Sequence, residues 1–386
     1  MFAYGIFKVI YAPHKAFKEI AQNPKYVGPI LIMILFAAAN VGSMYTLMSK
    51  TFMEDTLPTS KQLDEWTENA TLWTTSGLAA TENYTDCIQG SIYGNRSIEF
   101  SAINSNEIFM QLDNIGPVNC SSDPSGYKYL YLRIKLLSPD DSPENVTIYL
   151  YSSPSDYFYY NLTENFSNFT VNVWNNLTIP LANQNWTEMG TAADWGNIKG
   201  LRLNFMWLKA SNITVLVDGL FFGGVFKPAV ENVVSYAVNY SVYTFMQFFV
   251  RWVLLGGIIY IMTKAFKANT VWKIILILAG FTLITMFVQA IINVAAFSTM
   301  STIRYPFELI GGVKGESENA YSKILEETWL VNQIYNYAQI AVLIWTIVLC
   351  TLAVRSTTEF SWTKSFLIAV VAYFATTLIE GFLVGT

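Results

Sequence analysis

Flat aromatic rings set beside hydrogen-bonding groups recur twice in the sequence, as YLYLRIKLL (129–137) and VTIYLYSS (146–153). Successive residues of a strand face opposite sides. Leu130, Leu132, Ile134 and Leu136, with Val146, Ile148 and Leu150, therefore point to a core, and Tyr129, Tyr131, Arg133, Lys135, Tyr149 and Tyr151 point outward. Rings for the C–H face of a sugar and polar groups for its hydroxyls are what carbohydrate recognition requires. Tyr129, Tyr131, Arg133, Tyr149 and Tyr151 are the candidate sugar-binding residues. Aromatic side chains also suit any pleated surface, so packing under glycans or against other loops is the competing reading.

A second chemistry is charge inside apolar sequence. Arg251 and Glu380 interrupt long apolar runs, where an unpaired charge costs at least roughly 2.5–3.5 kcal/mol. Counted from the ends of their segments, their depths differ by about four helical rises, or about 6 Å, so they are expected to form an intramembrane pair. Asn40, Gln247, Gln289, Asn293, Asn336 and Gln339 fall in the same half of their runs. This predicts a hydrogen-bonded interface between helices in preference to an outward-open cavity, because no broken helix or inverted repeat is evident. Enzymatic chemistry is not expected: His14 is the only histidine, which rules out His-based triads and multi-His metal sites, and no GxxxxGK[ST] phosphate loop is present.

The elements that must position these groups are set by hydropathy. Apolar residues make up 53% of the chain and charged ones 13%, well below the quarter or so of a soluble protein. Val27 to Leu47, Ser241 to Met262, Trp272 to Phe297, Val331 to Val354 and Ser365 to Val384 each have the roughly 20 apolar residues that a membrane helix needs, making the lipid bilayer the first partner. The run from Val27 is too long for a signal peptide and lacks a cleavage site, so it reads as an uncleaved anchor. Ile6, Ile10, Pro13, Phe17 and Ile20 recur at helical spacing and predict one amphipathic helix in the membrane interface over residues 1–26, ended by Asn23-Pro24. The expected organisation is that interfacial helix, a first transmembrane helix at 27–48, an extracellular domain at 49–228, and a four-helix bundle at 229–386 with an outer loop at 299–330.

Within 49–228, short alternating runs separated by Asn, Pro, Gly and Ser predict an antiparallel β-sandwich. Sequons begin at Asn69, Asn83, Asn95, Asn119, Asn145, Asn161, Asn165, Asn168, Asn176, Asn185, Asn212 and Asn239 and nowhere else, which points to N-linked glycans on a face outside the membrane. Lys8, Lys15, Lys18 and Lys25, then Lys264, Lys267 and Lys273, then Arg355 and Lys364 place the N-terminus inside and the C-terminus outside a plasma membrane by the positive-inside rule. Cys87 and Cys120 share the outer segment and are expected to form a disulfide, with two buried thiols as the alternative; Cys350 reads as packing. The net charge of −5 implies no nucleic-acid partner.

The stretch YAPHKAFKEIAQNPKYVGPILIMILFAAAN and the five-span layout resemble the Yip1 family of integral membrane proteins, some of which act in vesicle trafficking; the large insert departs from that pattern. The insert resembles the galactose-binding-like jelly rolls of carbohydrate-binding modules through GNRSIEF, YLYLRIKL, WNNLTIPL, ADWGNIKGLRLNF and ITVLVDGLFFGG. That resemblance implies a structural calcium at Asp218, which could equally be a turn-forming Asp. The expected function is a non-enzymatic multi-pass protein holding a sugar-binding sandwich outside the cell, docking an envelope glycan, a surface layer or another membrane complex. A transporter or channel component is the first alternative and trafficking the second.

Overall fold

The computed structural model describes residues 2–167 and 169–384. Asn168 therefore lies outside the described residues. The chain forms two compact units, one from Met1–Thr51, Pro228–Ile303 and Glu326–Thr386, the other from Phe52–Lys227 and Arg304–Leu325.

The first unit is helical. It begins with α1 (Phe2–Tyr11), α2 (Pro13–Gln22) and α3 (Val27–Ser49), and after the insert adds α5 (Val233–Ala265), α6 (Trp272–Thr282), α7 (Ile284–Thr299), α10 (Trp329–Thr357) and α11 (Trp362–Val384). Among the described residues five stretches are long and apolar enough to cross a membrane, α6 and α7 together making the third. Ile32, Phe248, Ile277, Leu349 and Ile368 are buried between helices, whereas Phe382, Leu378, Ile344 and Phe366 are exposed, as expected of side chains facing lipid. Two expectations are corrected. The amphipathic stretch is two helices, because Pro13 starts the second and disfavours the helical region for Ala12 before it (φ −140°, ψ 55°). Its apolar residues Ile6, Val9, Ala16 and Phe17 are buried in the bundle core, α1 against α3 and α6 and α2 against α6 and α10, so that stripe is covered by protein. The third span is broken at Leu283 (φ −74°, ψ 3°), with Thr282 and Thr285 hydroxyls turned back onto Ala279 O and Thr282 O.

The second unit is an antiparallel β-sandwich, built on β1 (Thr51–Leu57), β2 (Trp73–Thr75), β3 (Thr81–Asn83), β4 (Ser97–Val118), β5 (Tyr129–Ser138), β6 (Asn145–Tyr151), β7 (Tyr157–Asn161), β8 (Asn175–Pro180), β9 (Thr187–Met189) and β10 (Ile198–Pro228), with a short α4 (Thr163–Phe166). Two long strands, β4 and β10, pair along most of their length and shift register between Met206 and Ile213. On one side of that bend β10 continues into β6, β7 and β9; on the other it pairs with β5 and so with β8. Leu201, Leu203 and Phe205 from the first half meet Val215, Val217 and Phe222 from the second in one core, which closes the two halves into a sandwich. Residues 304–325 belong to this unit, so the loop expected to be part of the bundle packs on the sandwich instead. It carries β11 (Ile303–Tyr305), α8 (Phe307–Gly311) and the start of α9 (Glu316–Glu327).

Candidate functional site

The outward face expected to carry sugar recognition divides in two. Around β5 it is covered. Tyr131 is 7% exposed and Arg133 5%: the Tyr131 ring lies 4.5 Å from Phe307 at 7°, its hydroxyl donates to Glu54 Oε1 at 2.7 Å, and the Phe307 N–H donates to Glu54 Oε2 at 2.6 Å. Arg133 donates from Nη1 and Nη2 to the two oxygens of Glu316 at 3.0 and 2.5 Å and from Nε to Tyr93 at 3.0 Å. Burial raises the Glu54 carboxyl above its ordinary range and pushes the Tyr93 phenol up to about 12. Tyr129 stays exposed, its ring tilted by 32° against the covered Tyr131 at 6.2 Å. Of the five predicted sugar contacts, the structure thus removes Tyr131 and Arg133, whose partners are groups of the same unit that come from far along the chain.

Around β6 the face is open. Register alone builds it: Gln111 on β4 lies opposite Arg202 on β10, Arg202 opposite Tyr149 on β6, and Tyr149 opposite Tyr159 on β7. The next row runs Asp113, Gly200, Tyr151, Tyr157 and Met189. Tyr149 and Tyr151 stack at 6.3 Å and 17°, and both rings meet Tyr157 at 5.8 and 5.4 Å. All four tyrosines are half-buried. Gly200 places no side chain between Asp113 and Tyr151, and a groove of about 460 Å³ opens there, bordered by Gln111, Asp113, Ser153 and Lys199. Arg202 sits over the Phe109 ring at 3.9 Å with its Nε unpartnered. Tyr157, Tyr159 and Arg202 escaped the sequence reading. FYYN (158–161) and LRLNF alternate like the other strands, but which strand would lie beside β6 could not be read locally.

Asp218 is fully buried and accepts N–H bonds from Ile88 and Gly219 at 2.7 Å each. Asp64, also fully buried, hydrogen-bonds to it and accepts from Gly94 N and Thr67 Oγ1. Burial, then Asp64, pushes the Asp218 carboxyl up to about 9. Two carboxyl groups side by side are oxygen ligands of the kind a hard cation takes. Among the described residues no third acidic, Cys or His side chain joins them; peptide oxygens and water would have to complete the shell. Gly219 lies in the left-handed region (φ +57°), and a Cβ there would sit 2.4 Å from the Tyr93 ring, so the Asp-Gly pair also makes the local bend.

The predicted disulfide is absent. Cys120 is buried in the sandwich core, Cys87 is half-buried beside Gln89, and both are free; burial raises both thiols. One thiol packs among core side chains and the other sits in the loop at Asp218, so sharing a segment did not bring them together. Of the sequons, Asn69, Asn95, Asn161, Asn165, Asn176, Asn185 and Asn212 are exposed in the sandwich unit, and Asn83, Asn119 and Asn145 are half-buried. Asn239 lies on α5 in the helical unit.

In the helical unit Arg251 Nε donates to Glu380 Oε2 at 2.6 Å. Beside this pair is a cavity of about 800 Å³ lined by Asn40, Gln247, Gln289, Asn293 and Gln339 among others. The expected interhelical hydrogen-bonded interface is not what these residues form: they surround open volume, and Asn336 does not line it.

Residues 198–382 match the Yip1 domain. The match spans just under half of the sequence, from the first residue of β10 through α11, so Tyr11–Asn40, which carried the resemblance in the sequence, lies outside the Yip1 match. No curated protein matches the chain. Among solved structures, a carbohydrate-binding module described for promiscuous specificity is 14% identical with a TM-score of 0.28, over 40% of this chain and 57% of its own length. The family 11 carbohydrate-binding module from Clostridium thermocellum, in complex with a β-1,3-1,4-mixed-linked tetrasaccharide, is 15% identical with a TM-score of 0.27, over 44% of this chain and 94% of its own. A non-crystalline-cellulose-specific module is 12% identical with a TM-score of 0.27, over 40% and 87%. Scores this low transfer neither ligand nor site.

Proposed function

We propose that this Yip1-domain protein is a non-enzymatic, multi-pass plasma-membrane protein that presents a carbohydrate-binding β-sandwich outside the cell. The observation that carries the reading is the open tyrosine platform. Tyr149, Tyr151, Tyr157 and Tyr159 offer ring faces beside Arg202, Gln111 and Asp113, next to a groove floored by Gly200. The exposed sequons support N-glycosylation and an external location for this unit, with the N-terminus in the cytoplasm. Envelope glycans or a glycosylated surface layer fit the platform as partners, which makes organisation of the envelope, or docking of a membrane complex to it, the role.

The test is a glycan array probed with the full chain in phosphatidylcholine nanodiscs. Binding that is lost in Tyr149→Ala and Tyr151→Ala, with melting temperature kept, supports the platform; an array without signal, or binding indifferent to both variants, sinks it. Single-cysteine labelling of intact cells at positions 60 and 269 tests orientation, and label at 269 but not at 60 would reverse it. Asp64 and Asp218 are the groups that would hold a structural calcium, whose charge would offset that of two buried carboxylates. Calcium that leaves the melting temperature at pH 8 unmoved would remove that assignment.

A further inference from the structure

The cavity in the helical unit is walled by apolar side chains, such as Phe36, Leu255, Met286 and Leu343, and by a set of polar ones. Carboxamides come from Asn40 on α3, Gln247 on α5, Gln289 and Asn293 on α7 and Gln339 on α10. Phenol rings of Tyr240, Tyr243, Tyr335 and Tyr373 stand between them. Two of the lining oxygens, Asn293 Oδ1 and Thr376 Oγ1, are buried without a hydrogen-bond partner, a cost of about 1–3 kcal/mol each if left so. The residue Thr376 is 2% exposed. The break in the third span is at Leu283, which also lines the cavity; an interrupted membrane helix is tolerated where its backbone borders protein or a wet cavity.

Charge decides what class of molecule would satisfy these groups. Arg251 is the charged residue of the lining, and Glu380 is bonded to its Nε. The pair sums to zero, so neither an anion nor a cation gains a net opposite charge. Carboxamides both donate and accept, as hydroxyl groups do, and ring faces accept the C–H side of a polyol. The volume lies within the roughly 300–1,000 Å³ of small-molecule sites.

We propose that this cavity is a binding site for a neutral, polyhydroxylated group of about sugar size, held by Gln289, Asn293, Gln339 and Thr376. Such a group reaches it either as a free solute or as the headgroup of a lipid. The second route has a structural correlate: an apolar crevice of about 500 Å³ between α3 and α5, lined by Val41, Gly42, Tyr45 and Val238, shares Met44 with the cavity.

The experiment uses the full chain carrying Tyr149→Ala and Tyr151→Ala, so that binding at the sandwich platform cannot contribute and failure of either proposal is seen separately. It is reconstituted in phosphatidylcholine nanodiscs, titrated with maltose by calorimetry, and in a parallel arm prepared with a diglucosyl diacylglycerol and read by native mass spectrometry. The expected result is saturable one-to-one binding of one of the two probes, at least tenfold weaker in Gln289→Leu and Gln339→Leu with unchanged melting temperatures. Asn293→Ala, whose side-chain oxygen has no partner to lose, serves as the second variant if the leucine variants do not fold. Binding in the maltose arm assigns a solute and in the lipid arm a headgroup. Absence of both, or full affinity in folded variants, overturns the proposal.

Discussion

Strands β5 and β6 present the same letters to the outside and meet opposite fates. YLYLRIKL and VTIYLY both alternate, yet Tyr131 and Arg133 are buried beneath Phe307 and Glu316, whereas Tyr149 and Tyr151 remain half open beside Tyr157. Strand β10 shows the difference along its own length. Its first half, IKGLRLNF, alternates buried and partly exposed residues, and its second, VLVDGLFF, is buried at every position. A continuous apolar run is the mark of a strand covered on both faces. The lesson is that alternation tells which side chains leave the core, not whether something else covers them.

The sharpest way to break this contrast is to remove the cover. Glu316→Ala should leave Arg133 buried without its carboxylate and cost about 3–5 kcal/mol, while Arg133→Met with Glu316→Met should lose far less; thermal unfolding of the full chain measures both. A double loss equal to the sum of the losses of the Glu316 and Arg133 variants measured singly would mean that the two side chains are not coupled. Next in size, Tyr131→Ala should cost about 3 kcal/mol through the lost ring and the lost hydrogen bond to Glu54, against less than about 1 kcal/mol for Tyr149→Ala at the half-open surface. Reversal of that order would erase the distinction between the two faces.

The pH dependence of the covered side comes next. Asp218 is raised from 3.8 to about 9, and a carboxyl raised on folding contributes stability in full below its unfolded value, then loses it as pH rises through the folded one. With chelator present the melting temperature should therefore fall by several degrees between pH 5 and pH 9. Asp218→Asn should flatten that fall, and calcium should do the same in the parent chain. The smallest effect belongs to the open face. Gly200→Val should weaken binding to any array ligand severalfold by filling the groove, with thermal unfolding measured alongside because a Cβ there presses on Leu112 O at 3.3 Å, besides meeting Asp113 at 3.7 Å and Tyr151 at 3.8 Å. Unchanged binding would move the ligand off that groove.

The sequence by itself determined the five apolar spans, because helix length and hydropathy are local quantities set by bilayer thickness. It also determined the inward residues of β5 and β6, because strand period is two, and the match of Arg251 in depth to Glu380, because helical rise is constant. Tertiary structure decided what lies between elements. That residues 304–325 belong to the sandwich, that Tyr159 and Arg202 flank Tyr149, that Cys87 and Cys120 stay apart, and that the amides of the bundle enclose volume instead of bonding to one another are all relations between residues far apart in the chain. Periodicity specifies a direction for each side chain, but the partner it meets is fixed only when the strands and helices close on one another.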